Sequence, residues 1–464
     1  MATQISEAAS TKLRQSMSGD VITPDHTSYD EARKVWNGDI NRKPAIIVRP
    51  KSVDDVKAAI AFGRESGLRI SVKCGGHSLP GHSVCDGALM IDLRDMNQVT
   101  IDPKTKRATV QGGAIWSEVD GPAQAQGLAV TGGHVSHTGV SGLTLGGGIG
   151  HLMRKFGLVV DNLLSAQIVT ADGRVLKLSP TENEELFWAI RGGGGNFGIV
   201  TEFEFKLAPL GPMVLGGLAF WAPDKGPELI KRYRDFCKSS PDEVTSLFVY
   251  MHAPPFDFVP KEVQLTPGWA LALCGTDVAI AENAIKSLRT SAPPLFDIIG
   301  PMPYLAVQGM FDPALPHGTN CYIKGQFISE LSDEFIKAHL ANCAKMPPGR
   351  SQVFLIQMGG AVSRVPEEAT AVGGRSAAFQ AMFVGIWENE AERATVVKWI
   401  RESAEAIKPF SLGSYINLTD EMDESLIKRT YGPDKYARLQ GIKAKYDPEN
   451  VFSLNQNIKP AKPA

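Results

Sequence analysis

The 464-residue chain lacks several things, and each absence narrows its function. No apolar run reaches about 18 residues, the length a membrane-crossing helix requires, so no bilayer span is expected. Residues 1–40 contain no apolar stretch of the kind a secretory leader carries, which points to a cytoplasmic protein. Neither sign of charge is in excess: 48 basic residues face 50 acidic ones, a formal net charge of −2, and nothing suggests nucleic acid or another polyanion as partner. The six cysteines, Cys74, Cys85, Cys237, Cys274, Cys321 and Cys343, stand far apart without metal-ligand spacing. They read as free thiols in a reducing compartment, and no metal is expected. Repeats and low-complexity tracts are also missing.

What remains is the balance of a soluble globular enzyme, 43% apolar and 21% charged. The length exceeds one ordinary core, so more than one domain is expected. Residues 45–49 form a β-rich run. Ser52 can cap a helix whose Val53, Val56, Ala59, Ile60 and Gly63 recur at helical spacing, Gly67 stops it, and residues 68–73 make a second strand. From the end of that strand springs an unusual loop, Cys74-Gly75-Gly76-His77-Ser78, followed shortly by Gly81-His82-Ser83.

Glycine is the abundant residue here: 16 of the 46 fall between Gly75 and Gly150. Each costs backbone entropy on folding, so a concentration of them among Val, Ile and Leu implies main chain brought close to a ligand. A formal GxGxxG at Gly193, Gly195 and Gly198 is not a nicotinamide-dinucleotide fingerprint. That motif follows a strand and opens a helix, whereas here Thr181 and Glu184 predict a capping box for a helix before the glycines, and residues 200–205 alternate like a strand after them. Beyond Pro212 the texture changes to strand-like runs (Val244–His252, residues 352–358) and amphipathic ones (residues 282–291, 333–344). Along Val244–His252, Phe248, Tyr250 and His252 share one face, which is either a cavity wall or a covered sheet surface.

The glycine-rich half resembles the FAD-binding module of the vanillyl-alcohol-oxidase/PCMH superfamily, and within it the berberine-bridge-enzyme-like oxidases. The resemblance is carried by VKCGGHS, GALMIDLRDMNQV, VQGGAIWSEV, GVSGLTLGGGIG, RKFGLVVDNLLSAQIVTADG, ELFWAIRGGGGNFGIVTEFEF and, near the other end, YINLTDE and KYDPENVFSLNQNI. It implies an α+β protein: a PCMH-type FAD-binding domain of two α/β subdomains (1–210), a substrate domain with an antiparallel sheet flanked by helices (211–410), and a segment returning to the first domain (411–464).

The same resemblance implies FAD, with His77 joined to the flavin 8α-methyl group. Glycine-rich main chain can donate N–H groups to a pyrophosphate, and Cys74, Gly75, Gly76, Ser78, Gly81, His82, Ser83, Gly132, His137, Thr138, Gly139, Gly142, Gly146, Gly147 and Gly148 are expected around the cofactor. Asp161, Asn162, Gly198 and Val200 are expected toward its adenosine and pyrophosphate, Asn455 and Asn457 toward its isoalloxazine. Some relatives add a cysteinyl bond, but Val135 stands at that position, so one covalent link is expected. Thr138 stands where these enzymes are thought to gate oxygen. His134 and His137 read as structural hydrogen-bonding groups as readily as catalytic ones.

The implied chemistry is hydride transfer from a small alcohol, amine, phenol or sugar-like substrate to flavin N5, then to O2 as H2O2. Tyr415 and Asn417, two apart on a strand, could face one cavity; Tyr415 is a base if its pKa falls well below about 10, or else an orienting hydrogen-bonding group. Gln357 is a buried polar candidate in an apolar strand. A flavin dehydrogenase using another acceptor, an oxidative cyclisation enzyme, and a flavin carrier without catalysis are the alternatives. A monomer or homodimer is expected.

Overall fold

The computed structural model describes residues 5–418 and 424–462. A four-stranded sheet runs in the order Asp20–Ile22, Ile46–Arg49, Leu89–Asp92, Ile70–Lys73, with the last three parallel. Helix Val53–Glu65 makes the crossover. Ser52 caps it by accepting from the Asp55 N–H, a contact that contributes about 1 kcal/mol, and Val56, Ala59 and Ile60 press on Ile46, Val48 and Ile91. Gly67 ends the helix with a positive φ of 64°. The loop bearing His77 therefore leaves the edge strand of a rigid βαβ unit.

A second sheet, Val99–Asp102, Arg107–Gln111, Ile199–Lys206, Leu163–Val169, Val175–Leu178, is antiparallel throughout. The helix before the Gly192–Gly195 turn spans Glu184–Ile190, so the helix-glycine-strand order holds. Its start corrects the expected capping box. Asn183 is the N-cap, in a left-handed conformation, and makes no side-chain cap bond, while the Thr181 N–H turns back to the Ser179 hydroxyl.

The third sheet has nine strands, all antiparallel. Its order is Phe296–Asp297, Met213–Trp221, Pro267–Gly275, Val244–His252, Gln352–Gln357, Phe379–Trp387, Asn320–Ile328, Ser411–Ser414, with Gly300–Pro303 beside Met213–Trp221. Helices Gly226–Ser239, Val278–Ser291, Asp333–Cys343 and Glu390–Ile407 cover one face. The other face packs Leu247, Val249, Phe354 and Ile356 against Ile149, Met153, Val160 and Tyr415 from the glycine-rich half. The sheet is thus a roof over the two smaller sheets. No described helix is long and apolar enough to cross a membrane.

Side-chain alternation decides one of the sequence expectations. Phe248 and Tyr250 lie on the helix-covered face, Phe248 stacked with Tyr233 and Trp269 and Tyr250 tilted against Trp269, so the aromatic face of this strand is a sheet surface and not a cavity wall. The strand Ser411–Ser414 joins the large sheet and ends before Tyr415, so Tyr415 and Asn417 are not alternate residues of one strand as expected but flank Ile416 at a tight 3-10 turn, Ile416–Leu418. The chain then returns, and helix Pro433–Tyr446 packs Leu439 and Ile442 into the core of the second sheet.

Candidate active site

One cleft runs between the smaller sheets and the roof. Its floor is Cys74 to Ser78, His82, Ser83, Gly133 to Val135, Thr138, Gly139, Ser141 and Gly142; its far end is Gly194, Gly195, Gly198, Val200 and Asn455; its roof is Ile323, Ile356, Gln380 and Met382, with Tyr415 and Asn417 between.

The His77 loop is built for a fixed direction. Lys73, at the end of its strand, is buried and reaches the Ala32 carbonyl (3.0 Å) and the buried Asp92 carboxylate (3.4 Å), which Arg94 also approaches. Burial pulls the Lys73 pKa down to about 8 against the pull of Asp92. After it, Gly76 takes a φ of 70° and its carbonyl accepts from the Trp36 N–H. The Trp36 ring stacks on His77 at 4.9 Å, and His77 Nε2 lies 2.7 Å from His137 Nδ1. Of its two ring nitrogens, His77 Nδ1 has no partner among the described residues, and the side chain lines the cleft. Burial, followed by the neighbouring His137 and His317, holds His77 well below the ordinary histidine range, so the ring is neutral with a lone pair to give.

Between floor and roof, the Tyr415 hydroxyl accepts from the N–H groups of Gly148 (2.9 Å) and Ile149 (3.3 Å) and from the Asn417 amide (2.9 Å). Asn417 is in turn held by the Leu143 carbonyl. Three donors would favour a phenolate, but burial outweighs them and the Tyr415 pKa is raised. The hydroxyl is therefore protonated, with its own hydrogen unclaimed by the protein. A raised pKa runs against the base alternative.

The Gly142 and Gly195 α-carbons line the cleft, and a Cβ at either would project into open space, with no neighbouring atom within 4 Å. The backbone N–H groups of Gly76, His77 and Ser78 donate to nothing among the described residues. Asn455 gives its amide to the Gly195 carbonyl while its buried Oδ1 has no partner. Open glycine floor, free N–H groups and an orphaned amide oxygen are what a dinucleotide's phosphates and ring edges would satisfy. The residues present fit FAD.

Several expected residues lie beside the cleft and not on it. Gly81 turns against Ile40, Gly132 packs on Trp116, and Gly146, Gly147 and Gly148 carry the Tyr415 and Asn417 side chains. Asn162 closes on the carbonyls of Phe156 and Leu158, and Asp161 makes a buried two-pronged pair with Arg375 (2.6 and 3.1 Å). Asn457 is outside the lining, and His137 touches it only through His77. Gln357 is corrected outright. It sits on the helix-covered face of its strand, accepting from the Ser246 hydroxyl at 2.7 Å, because Ile356 is the residue whose parity faces the cleft. Thr419, Asp420 and Glu421 of the YINLTDE motif lie outside the described residues.

The structure adds residues the sequence did not offer. Gln380 pairs across the sheet with Ile356, lines the cleft, and leaves its buried Nε2 without a partner. Asp312 accepts from the Ser136 N–H (2.9 Å) and hydroxyl (2.5 Å), clasping the floor loop to the segment that carries His317. Their only sequence signal is an isolated polar residue in an apolar strand, or none.

A model of the FAD binding domain matches residues 44–179, and one described as berberine and berberine like matches residues 414–459. The (R)-6-hydroxynicotine oxidase of Paenarthrobacter nicotinovorans is 31% identical, the match covering 96% of this chain and 97% of that one. The crystal structure of 6-hydroxy-D-nicotine oxidase from Arthrobacter nicotinovorans superposes with a TM-score of 0.87 at 30% identity, over 96% of this chain and 99% of that one. Glucooligosaccharide oxidase from Acremonium strictum, described as carrying a 6-S-cysteinyl, 8α-N1-histidyl FAD, shares the fold at 24% identity with a TM-score of 0.86, over 98% of this chain and 100% of that one.

Proposed function

The chain belongs to the berberine-bridge-like FAD-linked oxidoreductases of the PCMH superfamily, and within that family we propose that it is an oxidase with flavin attached once, through His77, acting on a compact, largely apolar alcohol, amine or phenol. The observation that carries the reading is the presence, in one cleft, of an unpartnered His77 Nδ1 together with the Tyr415 hydroxyl and the Gln380 amide.

FAD, when bound, supplies the two-electron acceptor. The protein's contribution is position and desolvation. Ile323, Ile356 and Met382 form an aliphatic roof, which suits a ring or short chain and leaves a row of sugar hydroxyls without partners. Gln380 offers one N–H to a substrate acceptor, and Tyr415 offers its O–H to the oxygen or nitrogen that is being oxidised. The substrate's C–H and O–H (or N–H) bonds are exchanged for C=O or C=N, and its two electrons and two protons end on dioxygen as hydrogen peroxide.

A single attachment follows from thiol chemistry. Val135 lines the floor and has no sulfur. Cys74, also on the floor, directs its thiol to the Ala114 carbonyl at 3.2 Å, and burial pushes its pKa up to about 11, so it is not a thiolate near neutrality.

The test has two parts. Acid-precipitated protein should keep its yellow colour, and His77→Ala should release it to the supernatant; colour lost from the wild type would sink the attachment. Anaerobic bleaching by a panel of alcohols, amines, phenols and oligosaccharides should favour compact apolar members. Reoxidation by air within the turnover time supports an oxidase. Bleaching without it supports the dehydrogenase reading, to which Thr138 on the cleft floor lends its weight.

A further inference from the structure

The His77–His137 contact is not needed to hold a flavin, yet it is the shortest polar contact in the loop. Two neutral imidazoles at 2.7 Å must share one proton, one ring donating and the other accepting. The third imidazole, His317, is exposed and lies with its ring centre 5.0 Å from His137 and 5.8 Å from His77. The three come from separate stretches and present nitrogen atoms within 4.8 Å of one another. Such a trio can suggest a metal site. However, two nitrogens on one tetrahedral zinc ion stand about 3.3 Å apart, given Zn–N bonds of about 2.0–2.1 Å, so 2.7 Å is a hydrogen-bond separation.

The arrangement grades from closed to open. His77 is enclosed by Trp36 on its face, His137 is half-buried, and His317 reaches solvent. His137 is not free to drift: the neighbouring Ser136 is fastened by both its N–H and its hydroxyl to Asp312. Burial lowers the His137 pKa, while the Asp312 carboxylate and the Leu315 carbonyl favour its protonated form. The cations that face the cluster, Lys73 and Arg94, act on His317 at its outer end.

We propose that His137 is the proton acceptor that makes His77 a nucleophile during covalent flavin attachment, and that it passes the proton outward to His317 and water. The proposal rests on the reading of His77 as the flavin anchor. The bond formed is His77 Nδ1 to C8α of the flavin, and the bond broken is one C8α–H, whose proton leaves to water. The Nε2 proton of His77 moves to His137 Nδ1, which keeps the alkylated ring neutral. The two electrons of the broken C–H bond reduce the flavin and pass to dioxygen, which with two protons becomes hydrogen peroxide. His137 is a positioning and proton-accepting residue acting through His77, since it does not line the cleft itself.

The experiment uses full-length protein made without flavin, mixed with FAD in air. Non-covalent binding is read from quenching of flavin fluorescence, and attachment from the fraction of flavin in the acid precipitate over time. Both His137→Gln and His137→Ala should bind FAD with wild-type affinity and attach it at least ten-fold more slowly. Glutamine can accept the His77 N–H and hold the ring but cannot carry the proton away, so His137→Gln separates relay from alignment. Added imidazole should restore attachment in His137→Ala.

Attachment by His137→Gln at the wild-type rate would overturn the relay and leave alignment only. A wild-type rate that collapses with EDTA and returns with zinc would overturn it in favour of a metal-held trio. If the wild type attaches no flavin, the anchor reading itself fails and the relay falls with it. If the wild type attaches flavin and His137→Ala does so equally fast, only the relay fails.

Discussion

The carboxamide of Asn417 rests on the α-carbon of Gly146: a methyl added there would lie 2.1 Å from Asn417 Oδ1 and 2.5 Å from Nδ2. No larger residue at position 146 is compatible with Asn417 in its observed place. Since Asn417 also donates to the Tyr415 hydroxyl, the glycine positions that hydroxyl at one remove.

Gly146→Ala is accordingly expected to displace Asn417 and lower the rate of anaerobic flavin bleaching by ten-fold or more, while the acid-precipitable flavin stays at its wild-type level. A wild-type bleaching rate would show that the Asn417 amide is not needed where it stands.

Gln380 and Gln357 form a paired test of strand parity. Removing a hydrogen bond to a buried group costs on the order of 1–3 kcal/mol, so Gln380→Leu should lower kcat/KM by about ten- to a hundred-fold on a substrate bearing an acceptor. Gln357→Leu should leave kcat/KM within about two-fold and instead lower the Tm, because the Ser246 hydroxyl loses its acceptor. The opposite pattern would reverse the assignment of faces.

His339 has both ring nitrogens buried without partners, among Trp269, Phe335 and Phe383, and burial lowers its pKa to about 3. It stays neutral in the fold but titrates near 6.5 when unfolded. A folded-state pKa below the unfolded one gives stability that is full above about pH 6.5 and is lost as pH falls toward 3. At about pH 5 the loss is on the order of 2 kcal/mol. His134, lowered to about 4, adds to the same window. His339→Phe should flatten the fall in urea midpoint between pH 7 and 5; an unchanged slope would refute this source of acid sensitivity.

Lys443 and Asp447 form a buried pair at 2.5 Å, and Lys443 also reaches the carbonyls of Asn196 and Phe452 while Asp447 accepts from the Val451 and Phe452 N–H groups. Together they fix the run leading to Asn455. Breaking one side of such a pair costs about 3–5 kcal/mol, so Lys443→Met should lower stability by that order and weaken non-covalent FAD binding. Full affinity in a folded variant would separate this knot from the cofactor end of the cleft.

The local signals in the sequence translated directly where one chain segment settles the matter. Ser52 caps its helix, Gly67 ends it, and the loop of Gly75, Gly76 and His77 issues from the strand that follows. The family's motifs supplied the roof sheet and the Tyr415–Asn417 pair. What the sequence could not show was parity and distance. Gln357 and Gln380 are both lone amides in apolar strands, and only the register between Ile356 and Gln380 tells which one faces the cleft. Thr181 and Glu184 have the spacing of a capping box, yet the left-handed Asn183 starts the helix. Asp312 reaches the floor loop from 176 positions away and brings His317 with it, a proximity with no local signature.

The return of the chain to its first domain also sets an order on biosynthesis. Tyr415, Asn417 and Asn455 complete the lining of the cleft, while His77 lies early in the chain. Translation therefore produces His77 long before the residues that complete the cleft. A polypeptide ending before position 455 lacks part of the cleft lining, so on the proposed reading FAD is loaded after the chain is complete.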